Sequence, residues 1–241
     1  MEPDRLPHSM FFAQDFQVPG KAVRIRPLQT GLSVAYVLEF DTGLIVVDAG
    51  SPGHAHVILR EIEASGRSEV RLIFITHAHF DHYGCAAALR RHTGAPIAIH
   101  AADAEALSRA HTPLGQVRSW GVLGKKLLPL AEYLWPPEPT DPDLAVEDGD
   151  TFEELGIDAR VIHTPGHTPG SSSLMVNGEL LFVGDLISSR PWLFVQRYYA
   201  SDWEAIPSSV ERIIQSGVAW IFPGHGPPVA AARLENLIRS R

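Results

Sequence analysis

Short apolar segments rich in β-branched residues recur along the chain, and stretches of helical periodicity lie between several of them. Nine segments are predicted as β-strands, at residues 23–25, 33–40, 44–47, 72–75, 97–100, 159–162, 172–176, 180–183 and 219–222. Five stretches are predicted as helices, at residues 55–64, 85–91, 102–110, 203–215 and 229–239. Hairpins early in each half, followed by strand–helix alternation, predict an α/β protein with mixed sheets.

Local turn signals support these boundaries. Asn177-Gly178 lies between two strand-like segments, which is a strong hairpin signal. Asp202 is predicted to cap the helix at 203–215, and Gly217 is predicted to end it.

The segment at 111–143 interrupts the alternation. It is partly helical and then rich in proline, and its apolar side chains include Trp120, Tyr133, Leu134 and Trp135. The segment is interpreted as an insertion that either packs on the surface or faces the substrate as a lid, and the sequence leaves both open.

Length, cysteine content and the absence of long apolar runs bear on the domain organisation and the cellular location of the protein. At 241 residues the chain fits one large domain or two small ones, and length alone does not choose. No low-complexity segment or charged linker divides the sequence, so a single domain over 1–241 that carries this insertion is predicted. Cys85 is the only cysteine, so no internal disulfide can form, and Cys85 itself is predicted to be buried packing. The first residues hold no apolar run of signal length, and no segment approaches the ~18 apolar residues of a membrane span. We therefore predict a cytoplasmic protein.

The net charge of the chain indicates which classes of binding partner are expected. The formal net charge is −8 and basic residues form no cluster, which argues against nucleic acid as the main partner. Because no membrane span is expected either, a small-molecule substrate is the predicted partner. A homodimer is left open by the sequence.

The strongest chemical signal is the run THAHFDH at residues 76–82, which directly follows the apolar segment at 72–75. Three imidazoles and one carboxylate within six residues at a strand's end can converge only in a loop. These groups are the ligands that Zn²⁺ and iron accept. A hydrated loop of unrelated polar residues would not need to follow an apolar strand so closely. The run therefore predicts metal ligands at His77, His79, Asp81 and His82.

Later strand ends carry residues of the same kinds. The run HTPGHTPG at 163–170 contains turns that would aim His167 at a point, whereas His163 ends the strand itself and is predicted to pack. Asp185 follows the apolar segment at 180–183, and His225 lies between two glycines. Four strand ends that each present ligand-type side chains predict one site.

The chain resembles the metallo-β-lactamase superfamily over about residues 23–228. Four motifs carry this resemblance and occur in the superfamily's order: HAHFDH, TPGHTPG, the Gly-Asp pair after an apolar strand, and PGHG. The resemblance implies a four-layer αβ/βα sandwich with two mixed β-sheets and the metals at one edge of both sheets. It also implies a division of the ligands: His77, His79 and His167 for the first metal, Asp81, His82 and His225 for the second, and Asp185 as a bridge. Asp48 matches the family's acidic residue near the site, which would support the ligands.

This ligand set leaves room for a water molecule between two cations, which would lower its pKa until hydroxide is available near neutral pH. The expected cofactors are two Zn²⁺ per chain, with Fe or Mn as alternatives. Asp81 is predicted to be catalytic by orienting this water, while one metal takes the charge that develops on the carbonyl oxygen. No serine or cysteine nucleophile is required.

The residue expected to bridge the two metals indicates which reactions the protein could catalyse. An aspartate there, Asp185, resembles glyoxalase II-like thioesterases and lactonases, whereas the β-lactamases of the superfamily lack this carboxylate. Only residues 226–241 follow His225, so the helical extension of glyoxalase II is expected to be missing, and the layout is most similar to single-domain lactonase-like hydrolases. The expected function is a dinuclear zinc hydrolase that attacks an ester, thioester or lactone carbonyl with a metal-bound hydroxide. A mononuclear iron oxygenase similar to persulfide dioxygenases, and β-lactamase or phosphodiesterase activity on the same fold, are the alternatives.

The segment at 190–199 follows Asp185 closely and is rich in aromatic and arginine side chains, which small-molecule pockets use for contact and orientation. It is predicted to bind substrate through Arg190, Trp192, Phe194, Tyr198 and Tyr199. We expect this segment and the insertion at 111–143 to face each other across the metals.

Overall fold

In the computed structural model, the described residues are 16–17, 23–67 and 69–240. The N-terminal residues on which the prediction of a cytoplasmic location partly rests lie outside this part of the chain. The strands are β1 (Phe16–Gln17), β2 (Arg24–Thr30), β3 (Ser33–Phe40), β4 (Gly43–Val47), β5 (Val70–Ile75), β6 (Ile97–His100), β7 (Gln116–Val117), β8 (Leu144–Val146), β9 (Ala159–His163), β10 (Ser172–Val176), β11 (Leu180–Ser188), β12 (Phe194–Val195), β13 (Tyr199–Ala200), β14 (Trp220–His225) and β15 (Val229–Ala230).

The α-helices are α1 (Ala55–Ala64), α2 (Phe80–Tyr83), α3 (Ala86–Thr93), α4 (Ala101–Ser108), α5 (Gly121–Leu134), α6 (Ala205–Gln215) and α7 (Ala231–Arg239). A short 3-10 helix, Glu153–Leu155, precedes β9. No helix in the described part of the chain combines the length and hydropathy that a membrane span requires.

The first sheet has seven strands in the order β1-β2-β3-β4-β5-β6-β8. Its strands pair antiparallel from β1 to β4 and parallel from β4 to β8. Parallel neighbours need a crossover connection, and α1 supplies the one between β4 and β5. The sheet is therefore mixed, as the sequence predicts.

The second sheet has the order β15-β14-β11-β10-β9, with β12 paired to β11. Only the β11–β14 pair within it is parallel among the described strands. The hairpin between β10 and β11 turns at Asn177 and Gly178, whose φ angles are 51° and 68°, so the predicted Asn-Gly turn is confirmed. Strands β7 and β13 form a separate antiparallel pair.

Side chains alternate along the strands between two cores. In β4, Ile45 and Val47 enter the core between the two sheets, whereas Leu44 and Val46 pack on the side of α1, α3 and α4. A third core lies between the second sheet and helices α6 and α7. This order of helices, sheet, sheet and helices is the predicted four-layer sandwich.

Two strands extend further than their hydrophobic patterns predict. β11 continues through Gly184 and Asp185 to Ser188, and β14 continues through Gly224 to His225. Their pairing shifts register on both sides of Gly184. The predicted ligands therefore lie on irregular strand ends that still pair with each other.

The boundaries of the five predicted helices differ from the predictions by at most two residues. Asp202 Oδ1 accepts hydrogen bonds from the backbone N–H groups of Glu204 and Ala205, so α6 begins later than predicted. Gly217, with φ of 69°, follows the end of this helix as predicted. Val229–Ala230, predicted as helical, forms β15 instead because it pairs with β14.

The insertion contains a complete 14-residue helix, α5, where the sequence indicates only partial helicity. Pro129 lies inside α5, and Gly121 and Gly124 lie in its first turn; both residue types disfavour helix interiors. All of α5 is described, and Gly121 is its one buried residue. No side chain of α5 belongs to the three hydrophobic cores of the described structure.

Cys85 lies between α2 and α3 and is 3% exposed. Its Sγ donates a hydrogen bond to the backbone oxygen of Ser51 at 3.0 Å. Burial raises the pKa of this thiol, which disfavours a reactive thiolate. The predicted packing role is confirmed.

Candidate metal centre

Ligand-type side chains from both sheets converge at one edge of the sandwich. Residues 76–82 follow β5, Asp48 follows β4, and His167 lies in the loop after β9. Asp185 lies within β11 and His225 ends β14. Because β4 and β5 are parallel neighbours, as are β11 and β14, their carboxyl ends lie side by side.

The seven predicted ligands form two groups, which together are called the metal centre below. The first group is His77, His79, His167 and Asp185, and the second is Asp81, His82 and His225. Within each group, one candidate ligand atom per residue lies within 4.8 Å of all the others. The structure thus brings together the residues that the motifs divide between two metals.

Asp185 lies between the two groups. Its Oδ2 is 3.6 Å from Nε2 of His167 in the first group. Its Oδ1 is 3.2 Å from Nε2 of His82 and 3.2 Å from Nε2 of His225 in the second group. Each carboxylate oxygen therefore faces a different group, which is the geometry that a bridging ligand needs.

Every imidazole of the metal centre has one ring nitrogen held by the protein. The contacts are His77 Nδ1 with Thr76 Oγ1 (3.0 Å), His79 Nε2 with Pro113 O (3.1 Å), His82 Nδ1 with Asp48 Oδ2 (2.8 Å), His167 Nδ1 with Tyr199 O (3.0 Å) and His225 Nδ1 with Leu32 O (3.0 Å). Metal-binding histidines are oriented in this way, because the held nitrogen fixes the ring and leaves the other nitrogen for the ion.

Several polar atoms of the metal centre are buried without a hydrogen-bond partner in the described part of the chain: His77 Nε2, His82 Nε2 and Asp185 Oδ1. His82 Nε2 and Asp185 Oδ1 are 3.2 Å apart, but they lack the angles of a hydrogen bond. Buried unpaired polar atoms cost free energy, on the order of 1–3 kcal/mol each. A cation that accepts lone pairs from these atoms removes the cost, so the residues present fit a metal.

The electrostatics of the centre agree with this fit. Burial lowers the pKa of His77 well below its ordinary value and that of His167 to about 3, so both rings are neutral and offer a lone pair. Burial also opposes the charged form of His82, but Asp185 and Asp48 outweigh it and raise the pKa of this ring well above the ordinary value. The carboxylates thus create a negative potential that favours a cation.

Asp48 is a buried carboxylate that forms a hydrogen bond with His82 of the second group. It is 1% exposed and has a φ of 60°, which is uncommon for a non-glycine residue. One oxygen accepts the backbone N–H of Thr76 at 2.8 Å, and the other accepts Nδ1–H of His82 at 2.8 Å. Asp48 therefore contacts both the start of the 76–82 loop and one candidate ligand.

Gly224 shows why the sequence needs a glycine beside the centre. A Cβ at this position would lie 2.5 Å from Cε1 of His82 and 2.8 Å from Oδ1 of Asp185. Such contacts are too short, so any side chain here would displace two candidate ligands.

Asp103 is a residue that sequence reasoning missed. It is 1% exposed, and its Oδ2 accepts the backbone N–H of Ala78 at 2.9 Å and the hydroxyl of Thr168 at 2.6 Å. Its Oδ1 accepts the backbone N–H of Gly170 at 2.7 Å. Ala78 lies between His77 and His79, so one carboxylate joins the two loops that carry the histidines of the first group.

We predict that Asp103→Asn weakens metal binding by about 10- to 100-fold, the usual range for a residue that orients ligands. An amide can accept on only one side, so at least one of the N–H donors of Ala78 and Gly170 would lose its acceptor. Competition with a chelator measures the affinity. Asp143→Asn is the matched control, since Asp143 accepts the backbone N–H of Ile97 at 2.9 Å in the first sheet. Equal metal affinity in wild type and Asp103→Asn would refute the role.

His163 belongs to neither group. Its ring stacks on His100 with 3.9 Å between centroids, and its Nε2 contacts the backbone oxygen of Pro169 at 2.9 Å. These contacts are those of a packing residue that supports the loop carrying His167.

A cavity of about 600 Å³ opens beside the metal centre. His79, Asp81, Asp185 and His225 form part of its wall. The segment at 190–199 contributes Arg190, Pro191, Phe194, Gln196, Tyr198 and Tyr199. The insertion contributes Thr112, Leu114 and one face of α5. Both segments that the sequence associates with substrate therefore line one cavity beside the candidate ligands.

Two details of this wall differ from the sequence interpretation. Trp192 is not among the lining residues, is 60% exposed, and lies with its ring centroid 5.6 Å from the Arg197 guanidinium carbon. Gln196, which the sequence did not single out, lines the cavity and donates from Nε2 to the backbone oxygen of Asp185 at 3.0 Å. No local signal marks it, because its contact depends on how β12 folds back on β11.

Comparisons with known proteins agree with this geometry. A family model described as the metallo-beta-lactamase superfamily matches residues 28–225. A probable metallo-hydrolase of Methanocaldococcus jannaschii is 26% identical over a 193-residue alignment, and the match covers 76% of this chain and 82% of that protein. The human acyl-coenzyme A thioesterase MBLAC2 is 27% identical over 217 residues, covering 82% of this chain and 71% of the relative.

Solved structures are similar as well. TTHA1623 in a di-iron-bound form has a TM-score of 0.65 and 28% identity, and the match covers 85% of this chain and 93% of that one. An archaeal metallo-beta-lactamase superfamily protein from Sulfolobus tokodaii, ST1585, has a TM-score of 0.67, with coverage of 92% and 86%. Its 20% identity supports the fold alone.

Proposed function

The chain belongs to the metallo-beta-lactamase superfamily and is a metal-dependent hydrolase of that fold, and we propose that it cleaves an ester, thioester or lactone with the help of two metal ions. The observation that carries the proposal is Asp185, whose two oxygens face different groups of candidate ligands. The thioesterase relative supports a carbonyl substrate.

The donor set suits divalent transition metals, because imidazole nitrogens and carboxylate oxygens are their usual ligands. We assign His77, His79 and His167 to one ion, Asp81, His82 and His225 to the other, and Asp185 to both. When bound, two such cations lower the pKa of a water molecule and polarise a substrate carbonyl. Zinc is the proposed metal, and the di-iron-bound relative makes iron the alternative that metal analysis distinguishes.

Asp81 is the proposed catalytic residue. Its carboxylate borders the cavity, and its Oδ2 is 3.5 Å from His225 Nε2 and 3.7 Å from His82 Nε2. The Ser33 hydroxyl donates to the backbone oxygen of Asp81 and holds this position. A carboxylate between the cavity and the second group can accept a hydrogen bond from the attacking water and orient it.

Tyr199 is proposed to orient the substrate. Its side chain lines the cavity, and burial raises its pKa, with Asp81 and Asp185 adding to the shift. The phenol therefore keeps its proton and can donate a hydrogen bond to an oxygen of the substrate. Arg190 on the same wall supplies a positive charge, and Phe194 and Tyr198 supply contact area.

A hydrolysis panel tests the proposal. The purified protein should hydrolyse at least one ester, thioester or lactone, because these offer the carbonyl that the site is proposed to attack. The activity should disappear when a chelator removes the metal and return when Zn²⁺ is added back.

Two results would contradict it. Turnover that survives complete metal removal would exclude the proposed mechanism. Turnover confined to phosphodiesters or β-lactams, which belong in the same panel, would show that the substrate class is wrong.

A further inference from the structure

We propose that the substrate carries an aliphatic acyl group that lies against one face of α5, while its carbonyl is held at the metal centre. This inference rests on the proposed function, because it names the substrate class of the same site. It follows from the chemistry of the cavity wall and from the contacts of α5 with Tyr198 and Tyr199.

One face of α5 forms part of the cavity wall. Gly124, Leu127, Leu128 and Ala131 line the cavity, and their spacing of i, i+3, i+4 and i+7 places them on one stripe of the helix. Lys125 and Lys126 lie off this stripe and do not line the cavity. The helix therefore presents a surface to the cavity that has no hydrogen-bonding side chain.

Neighbouring segments continue this apolar surface up to the ligands. Phe80 directly follows His79 in the chain and lines the cavity, as do Leu114 and Phe194. Among the described lining residues, the charged side chains outside the metal centre are limited to Arg190. A polar or charged substrate group would lose its hydration against this wall, whereas a hydrocarbon chain gains about 0.8 kcal/mol for each methylene it buries, which corresponds to about fourfold in binding.

The contacts of α5 with Tyr198 and Tyr199 hold this wall close to the metal centre. A Cβ at Gly124 would lie 1.9 Å from the Tyr199 hydroxyl oxygen, and a Cβ at Gly121 would lie 2.6 Å from the backbone oxygen of Tyr198. The backbone oxygen of Tyr199 in turn contacts Nδ1 of His167 at 3.0 Å. The two glycines therefore let α5 contact Tyr198 and Tyr199, and the backbone of Tyr199 orients His167. The apolar face of α5 is thereby held next to the metal centre.

A chain-length series tests the inference. Wild type should hydrolyse 4-nitrophenyl esters with a kcat/KM that rises about threefold to fourfold per methylene from acetate towards octanoate. Leu128→Ala should reduce the octanoate-to-acetate ratio of kcat/KM by about tenfold, since it removes part of the wall. Ala131→Phe, which fills the cavity, should move the optimum to shorter chains.

Leu130→Ala is the matched control. Leu130 belongs to the same helix, is 56% exposed and does not line the cavity, so its replacement should leave the ratio unchanged. Thermal unfolding of each variant checks that it folds. A flat chain-length profile in wild type, or equal effects of Leu128→Ala and Leu130→Ala, would overturn the inference.

A binding measurement separates this inference from the reaction itself. By calorimetry, octanoate should bind wild type more tightly than acetate, by at least about tenfold, and Leu128→Ala should reduce that difference. If this holds while no ester, thioester or lactone is hydrolysed, the acyl wall is supported and the proposed reaction is wrong. Equal affinities for octanoate and acetate would refute the acyl wall even if hydrolysis is observed.

Discussion

Replacing Asp185 with asparagine is expected to reduce kcat/KM by about a thousandfold or more, because metal ions contribute several kcal/mol to the stabilisation of charge in the transition state. The carboxylate places one oxygen towards His167 and the other towards His82 and His225. An asparagine has one oxygen and no charge, so one group would face an amide nitrogen that cannot bind a cation. Steady-state kinetics and metal analysis of the purified variant measure both effects.

Asp143→Asn again serves as the control for this experiment. It also changes an aspartate to its amide, but Asp143 contacts Ile97 and Arg90 and no residue of the metal centre in the described structure. The control should keep its metal and its activity within a fewfold. If Asp185→Asn retained two ions per chain and activity within tenfold of wild type, Asp185 would not be a bridge.

His167→Ala is expected to abolish metal-dependent turnover, whereas His163→Ala should leave it largely intact. Nε2 of His167 faces the first group, 3.0 Å from Nδ1 of His79, so its loss removes a candidate ligand from a buried site. The expected decrease in kcat/KM is again about a thousandfold or more. The two histidines lie in the same HTPGHTPG run, which makes them a matched pair.

The expected cost of His163→Ala is in stability. The substitution removes the stacking on His100 and the contact with Pro169, and a hydrogen bond of this kind contributes about 0.5–1.5 kcal/mol. Thermal unfolding and metal content should be measured on both variants. Equal metal loss in the two would show that the ligand has been assigned to the wrong histidine or that His163 is also required for the centre.

The sequence predicts the metal centre well because each candidate ligand lies close to an apolar strand. In the 76–82 run, four polar side chains follow β5 so closely that a local pattern suffices. Asp185 and His225 are distant in sequence. However, Asp185 lies on β11 and His225 on β14, two paired strands whose hydrophobic patterns are clear. The strand and helix patterns predict an α/β protein with mixed sheets, whereas the four-layer arrangement is implied by the resemblance of the motifs to the metallo-β-lactamase superfamily.

Asp103 could not be predicted in this way. It lies in the first turn of α4, and its function depends on two loops meeting it, those that contain Ala78 and Gly170. Neither loop is near it in sequence. A carboxylate in a helix is usually exposed to solvent, so no pattern indicates that this one is buried.

The cavity wall is only partly predictable from the sequence. Pro129, Gly121 and Gly124 lower the helical propensity of α5, but the two glycines also allow its close contact with Tyr198 and Tyr199. A single sequence shows the unfavourable propensity and not the compensating contact. The aromatic content of 190–199 indicated a pocket, but it could not show that Trp192 would lie outside the cavity wall.

Metal content per chain tests the central claim most directly. The protein should be purified, stripped of metal, reconstituted with Zn²⁺, and measured by plasma mass spectrometry against protein concentration. The account predicts two ions per chain for wild type and fewer for His82→Ala, whose Nε2 is buried without a hydrogen-bond partner in the described structure. A wild type that saturates at one ion per chain, with His82→Ala binding the same amount, would contradict a two-metal centre.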